Sequence, residues 1–174
     1  MKTNSKQKVQ NKCKKIKIVL TDVDGVLTDS GQYFSENGEL MKKFHVRDGM
    51  GINILKRNKI PTIIVTKEKN GIVKKWAKKM NVYKVMDGIE KKEVVIKQLI
   101  KKFNFTKDEF AYIGDDVNDI ELLKIVGFSA TPADGDYEVK NTVDYVCQQN
   151  GGLGAFREIV DLIILSQFYN KKRY

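Results

Sequence analysis

The chain has 174 residues, 41% of them hydrophobic and 31% charged, the balance of a single globular domain able to bury about two thirds of its unfolded surface. No apolar run reaches the ~18 residues of a membrane span, and the polar, lysine-rich stretch 1–15 lacks the apolar segment of a signal peptide, so a disordered basic tail, a cytoplasmic location and no membrane partner are expected. The net charge of +10 raises the question of nucleic acid, but the lysines gather in that tail, in pairs such as Lys74-Lys75 and Lys78-Lys79, and in a second basic tail at 169–174, without interleaved aromatics for base stacking; no nucleic-acid partner is expected.

The first folded element is the strand Ile16–Leu20, a near-continuous apolar run of the kind buried on both faces of a parallel sheet. It ends in Thr21-Asp22-Val23-Asp24-Gly25, two carboxylates two positions apart followed by a glycine. Ligands of such sheets bind beyond the carboxyl ends of the strands. Buried acids need a cation or hydrogen bonds, and two this close suit a divalent metal. DxDG alone is equally compatible with a simple Asp-Gly turn. A hairpin follows, 32–34 and 40–44 around Asn37-Gly38. A helix over about 48–58 leads through Pro61 into the strand 62–65. The next helix places Ile72, Val73, Trp76 and Met80 on one face, with Trp76 in the core, and lysines opposite. A short strand at 83–85, a helix over 91–103 and the strand 110–113 then deliver Gly114-Asp115-Asp116. A helix at 118–126, strands at 128–130 and 143–146, and an apolar helix over 153–167 complete the alternation, which implies a parallel sheet flanked by helices. Cys13 and Cys147 have neither metal-ligand spacing nor the pattern of a disulfide framework.

The polar residues at these strand ends and helix starts are Asp22 and Asp24, then Thr66, then Lys91 or Lys92, then Asp115, Asp116 and Asp119. In that order they resemble the four motifs of the haloacid dehalogenase-like phosphohydrolases, over residues 16–168. Receiver domains also gather acids, a Thr and a Lys around Mg²⁺, but their acidic pair and acceptor Asp stand in a different order. The resemblance implies a Rossmann-like α/β fold, with Asp22 as nucleophile toward a phosphate monoester and Asp24 as general acid and base. Thr66 and Lys92 would bind the phosphoryl group, with Lys92 chosen over Lys91 by motif alignment. Mg²⁺ would be held by the Asp22 and Asp115 carboxylates and the Asp24 carbonyl. Asp116 and Asp119 would orient the metal waters or Lys92.

Neither intermotif gap has room for a cap domain. DVDGVLTD, the hairpin, Phe44-His45-Val46-Arg47-Asp48-Gly49, YIGDDVND and Gly151-Gly152-Leu153-Gly154 together resemble the capless 3-deoxy-octulosonate (KDO) 8-phosphate phosphatases and their relatives acting on sialic-acid-type nonulosonate 9-phosphates. That family implies a homotetramer with projecting hairpins, each site completed by a neighbour, in agreement with the apolar last helix. It usually reads Thr-Gly-Arg and Gly-Gly-Arg-Gly where this chain has Thr66-Lys67-Glu68 and Gly151-Gly152-Leu153-Gly154. Glu68 resembles the nonulosonate branch and favours a 9-phosphate. Arg47 is a candidate for the substrate carboxylate or for a salt bridge; His45 is read as a hairpin-edge side chain. The alternative is a non-catalytic tetramerisation module associated with a sialic-acid cytidylyltransferase.

Overall fold

The strands β1 (Ile18–Thr21), β4 (Thr62–Val65), β6 (Phe110–Ile113) and β7 (Phe128–Thr131) are buried along their whole length. Aliphatic side chains on both faces leave them no stable place except the middle of a sheet covered on two sides. The computed structural model describes residues 2–168. In it these strands join β5 (Lys84–Met86) and β8 (Tyr145–Val146) in one parallel sheet of order β5-β4-β1-β6-β7-β8. β2 (Tyr33–Ser35) and β3 (Gly38–Met41) form a separate antiparallel hairpin, and no cap domain interrupts the described residues.

The helices are α1 (Lys2–Cys13), α2 (Val46–Arg57), α3 (Gly71–Lys79), α4 (Glu93–Phe103), α5 (Ile120–Ile125), α6 (Tyr137–Thr142) and α7 (Ala155–Phe168). Strand alternation divides the core between the two faces of the sheet. Val19, Ile64, Ala111 and Phe128 meet Ile52 and Leu55 of α2 and Phe156, Ile159 and Ile163 of α7. Ile18, Leu20, Ile63, Val65, Phe110 and Tyr112 meet Val95 and Leu99 of α4 and Leu122 of α5. Trp76 is half-buried against the first cluster and stacks on Phe44 with ring centroids 4.2 Å apart.

Three expectations need correction. Residues 2–13 form α1 rather than a disordered tail. Cys13 is buried, Val9 packs on the core, and Lys12 pairs with Asp144 at 2.6 Å. The apolar girth of α7 is largely covered within the chain, by the sheet, α2 and α1, so it does not call for a second copy. A short helix, α6, was not anticipated; Asp136 caps it by accepting from Glu138 N–H. The second basic tail, 169–174, lies outside the described residues. Cys13 and Cys147 are both free and buried. Among the described residues no helix is long and apolar enough to cross a membrane.

The sheet order reverses at β1: the chain fills β4 and β5 on one side, then crosses to β6, β7 and β8 on the other. Ligand crevices form at such a switch point. Thr21 pairs with both Ile64 and Ile113, so the residues just beyond all three strands share one edge. The loop before α7 closes one side of that edge. Gly152 N–H donates to Val26 O at 3.0 Å, and a Cβ on Gly151 would stand 1.9 Å from the Gly25 carbonyl oxygen. Backbone yields little to such a clash, so Gly151→Ala is expected to destabilise the protein by about 1–3 kcal/mol. Gly71→Ala, with no atom within 4 Å of the added methyl, should instead be neutral or stabilise α3 by up to about 1 kcal/mol. Urea unfolding of the two variants, read for opposite signs, checks this.

Candidate functional site

β1 delivers Asp22 to the crevice. The Asp22 N–H donates to Ile113 O at 2.9 Å, and its Oδ1 accepts from Val23 N–H at 2.7 Å. The following turn is wound on Val23 O, which accepts from Leu27 and Thr28 N–H at 2.8 and 3.0 Å. Gly25 sits there at φ +80°, and a Cβ on it would collide with the Asp115 carboxylate. Glycine is therefore required twice over, for the left-handed backbone and for the approach of the first and last motifs.

Asp22, Asp115 and Asp119 each bring one carboxylate oxygen within 4.8 Å of the others. Their partners separate their roles. Asp119 is fully used by the protein: Oδ1 accepts from Lys92 Nζ at 2.7 Å and Tyr112 OH at 2.5 Å, and Oδ2 from the N–H of Asp115 and Asp116 at 3.0 and 3.3 Å. Lys92 also donates to Asp22 Oδ2, and its side chain is 1% exposed. Lys91 is exposed and does not line the cleft that holds Lys92. Asp115 Oδ1, in contrast, is buried without a hydrogen-bond partner.

The electrostatics follow from that count. Two buried carboxylates and one half-buried one face one ammonium. Burial first, then the charges of Asp22 and Asp119, push the Asp115 pKa up to about 8. Burial likewise raises Asp22, against the pull of Lys92. Burial disfavours the Lys92 ammonium, yet attraction to Asp22 and Asp119 outweighs it and its pKa rises. Desolvation and Asp119 together keep the Tyr112 hydroxyl protonated. An unpartnered buried oxygen and an excess of negative charge, all of it on hard oxygen donors, fit a cation such as Mg²⁺.

One cleft of about 200 Å³ is lined by Asp22, Asp24, Thr66, Glu68, Lys92, Asp115 and Asp116, together with Ser30, Lys67 and Asn118. The structure therefore gathers most of the sequence-predicted site. Asp119 lies beneath it, holding Lys92. Arg47 is not brought there: it lines another cavity, of about 400 Å³, with Tyr145, Leu153 and Arg157. His45 is the N-cap residue of α2, its Nδ1 3.9 Å from Asp48, and it does not line the cleft.

Sequence reading missed Lys42. Its side chain is fully buried against Asp24 and Glu39. No local signal set it apart: β3 ends at Met41, so Lys42 lies outside any strand period. Tyr112 was placed in a strand, with no sign that its hydroxyl would reach Asp119.

A family model described as haloacid dehalogenase-like hydrolase matches residues 53–159. The chain belongs to the haloacid dehalogenase-like hydrolases. It is 39% identical over 159 residues to the 3-deoxy-D-manno-octulosonate 8-phosphate phosphatase KdsC of Haemophilus influenzae, covering 91% of this chain and 88% of that one. The cobalt-bound structure of the Haemophilus influenzae phosphatase superposes with a TM-score of 0.86, at 39% identity over 90% of this chain and 91% of that one. The phosphatase of Moraxella catarrhalis, solved with magnesium, phosphate and KDO, gives a TM-score of 0.90 at 32% identity over 92% of each chain. Metal-bound neighbours of this hydrolase agree with the cation that its acidic cluster fits.

The pH dependence of stability tests the charge excess. A carboxylate whose pKa rises on folding keeps a proton that the unfolded chain has already released. Stability from Asp115 is thus intact below the ordinary 3.8 and lost as pH rises to about 8. The metal-free unfolding midpoint is expected to fall from about pH 5 to about pH 8, and Mg²⁺ to raise it by an amount that grows with pH. A Mg²⁺ effect that is absent or independent of pH would count against this reading.

Proposed function

We propose that this hydrolase is a Mg²⁺-dependent phosphomonoesterase of the cytoplasm, which removes the terminal phosphate of a 3-deoxy-2-ulosonic acid phosphate. The observation that carries the reading is the convergence of Asp22, Asp24, Thr66, Lys92 and Asp115 on one cleft, in a chain similar throughout to KDO 8-phosphate phosphatases.

Asp22 and Asp115, with the Asp24 carbonyl, are the residues that would hold the cation. Bound there, Mg²⁺ would neutralise charge, so that an anionic carboxylate can approach an anionic phosphate. The Asp22 carboxylate attacks phosphorus and the bond to the leaving alkoxide breaks, giving an aspartyl-phosphate. Asp24 hands its proton to the departing oxygen and later takes one from the water that hydrolyses the intermediate. The Lys92 ammonium, held by Asp119, and the Thr66 hydroxyl bind the phosphoryl oxygens. Asp116 stands at the cleft wall to orient water.

Similarity to the KDO enzymes favours an 8-phosphate. One observation favours a second substrate, a nonulosonate 9-phosphate: Glu68 lines the cleft, at the position where the KDO 8-phosphate enzymes usually read arginine. We infer further that the active form is a homotetramer. Its support is the apolar surface on and near the hairpin, with Phe34 63%, Leu40 64% and Val46 84% exposed. Arg47, near that surface, would then serve the substrate carboxylate of a neighbouring copy's cleft. A light-scattering mass of four times the 19.9 kDa chain checks the assembly.

Phosphate release from KDO 8-phosphate and from sialic acid 9-phosphate tests the activity. Asp22→Asn should lower it at least about 10³-fold, since the attacking oxygen is lost. Glu68→Arg should move the kcat/KM ratio toward KDO 8-phosphate by about tenfold. A folded protein that releases no phosphate from either sugar, yet binds a sialic-acid cytidylyltransferase tightly, would instead establish the non-catalytic assembly module.

A further inference from the structure

The hairpin and the residues just after it invert the usual rule of burial. Leu40 and Met41 are 64% and 53% exposed, while the side chain of Lys42 beside them is completely buried. A lysine is almost never buried without partners. Lys42 Nζ lies 2.7 Å from Asp24 Oδ1, 2.9 Å from Glu39 Oε1 and 3.7 Å from Glu68 Oε2. The second Glu39 oxygen accepts from Asn70 Nδ2, while Asn70 Oδ1 caps α3 by accepting from Ile72 and Val73 N–H. Asp24 Oδ1 also accepts from Thr28 Oγ1 at 3.2 Å. One oxygen of Asp24 is thus tied from two sides, and among the described residues Oδ2 accepts no hydrogen bond.

We propose that Lys42 is a positioning residue: by gripping Oδ1 it aims Oδ2 of Asp24 at the leaving oxygen, so that proton transfer depends on the hairpin docking against α3 through Glu39 and Asn70. This rests on the phosphatase reading above. A carboxylate that must give a proton to an alkoxide and later take one from water works only within hydrogen-bond reach of both. A displacement of about 1 Å costs on the order of 10² in rate. The ammonium also keeps Asp24 and Glu39, two acids sharing one pocket, from pushing each other apart. Glu68, at the edge of the same group, also lines the cleft.

The test exploits leaving-group chemistry. A sugar alkoxide needs a proton to depart, whereas p-nitrophenolate leaves without one, and kcat/KM reports the step in which the leaving group is lost. The probes are p-nitrophenyl phosphate and whichever of KDO 8-phosphate and sialic acid 9-phosphate is the better substrate. Lys42→Met is expected to lower kcat/KM for the sugar phosphate at least about tenfold more than for the aryl phosphate. Lys42→Arg should recover part of the difference, and in an Asp24→Asn background Lys42→Met should leave the sugar-to-aryl ratio unchanged. Equal losses on both substrates in folded Lys42→Met would overturn the proposal. Should that variant fail to fold, Glu39→Gln, which keeps the ammonium, decides: a smaller shift of the ratio in the same direction supports the role, and an unchanged ratio overturns it. Wild-type protein that releases phosphate from none of these compounds would overturn the phosphatase reading itself, which is a different outcome.

Discussion

The architecture turns on a surplus of buried negative charge at the carboxyl edge of the sheet. Asp22, Asp115 and Asp119 stand together with a single ammonium, Lys92, among them. Isolated buried carboxylates are expensive, and a structure that keeps two, with a half-buried third beside them, must compensate them. Asp119 is satisfied entirely by the protein, through Lys92, Tyr112 and two backbone amides. Asp22 accepts one hydrogen bond on each oxygen, from Val23 N–H and Lys92, and Asp115 keeps a buried oxygen without a partner. The deficit that remains has the size and hardness of a divalent cation. The same imbalance that makes the metal-free fold less secure makes the site able to attract a cation and, through it, a phosphate dianion.

Much of this was legible in the chain, because the sheet is built from strands buried on both faces. Ile18–Thr21, Thr62–Val65 and Phe110–Ile113 read as largely apolar runs, and each leads to a residue that apolar packing cannot explain: Asp22 and Thr66 at once, and Asp115 after Gly114. Parallel pairing then forces those positions onto one edge. What sequence could not supply is any feature that exists only after packing. α1 has no apolar stripe of its own; Val9 and Cys13 dock it on the core, Lys12 reaches Asp144, and Gln167 donates to Cys13 O and Ile16 O at 2.9 and 2.7 Å. Helices of that kind are stabilised by tertiary contact rather than by propensity. The six-residue α6 is too short to show a period. The burial of Tyr112 OH against Asp119 depends on the depth of the cleft, which no local pattern encodes.

The hairpin is where sequence and structure part furthest. Its turn was clear from Asn37-Gly38, and its exposure agrees with the solvent-facing Phe34 and Leu40. Its chemistry was hidden, because Lys42 sits beside Lys43 in a chain with many surface lysines. Lys43 is an ordinary surface cation paired with Asp29 at 2.9 Å, whereas Lys42 is enclosed by Asp24, Glu39 and Glu68. Two neighbouring lysines thus have opposite fates, set by the acids each one meets after the end of β3. Arg47 shows the converse: its charge suggested the substrate, but the start of α2 carries it to a separate cavity.

Asp22 and Asp115 are expected to share one divalent cation while Lys92 stays anchored on Asp119. An anomalous-difference map from crystals grown with Mn²⁺ tests it most directly. A single strong peak is expected in contact with a carboxylate oxygen of each of Asp22 and Asp115, with the Lys92 to Asp119 contact intact. A site left empty by Mn²⁺, or a peak that displaces Lys92 from Asp119, would contradict it.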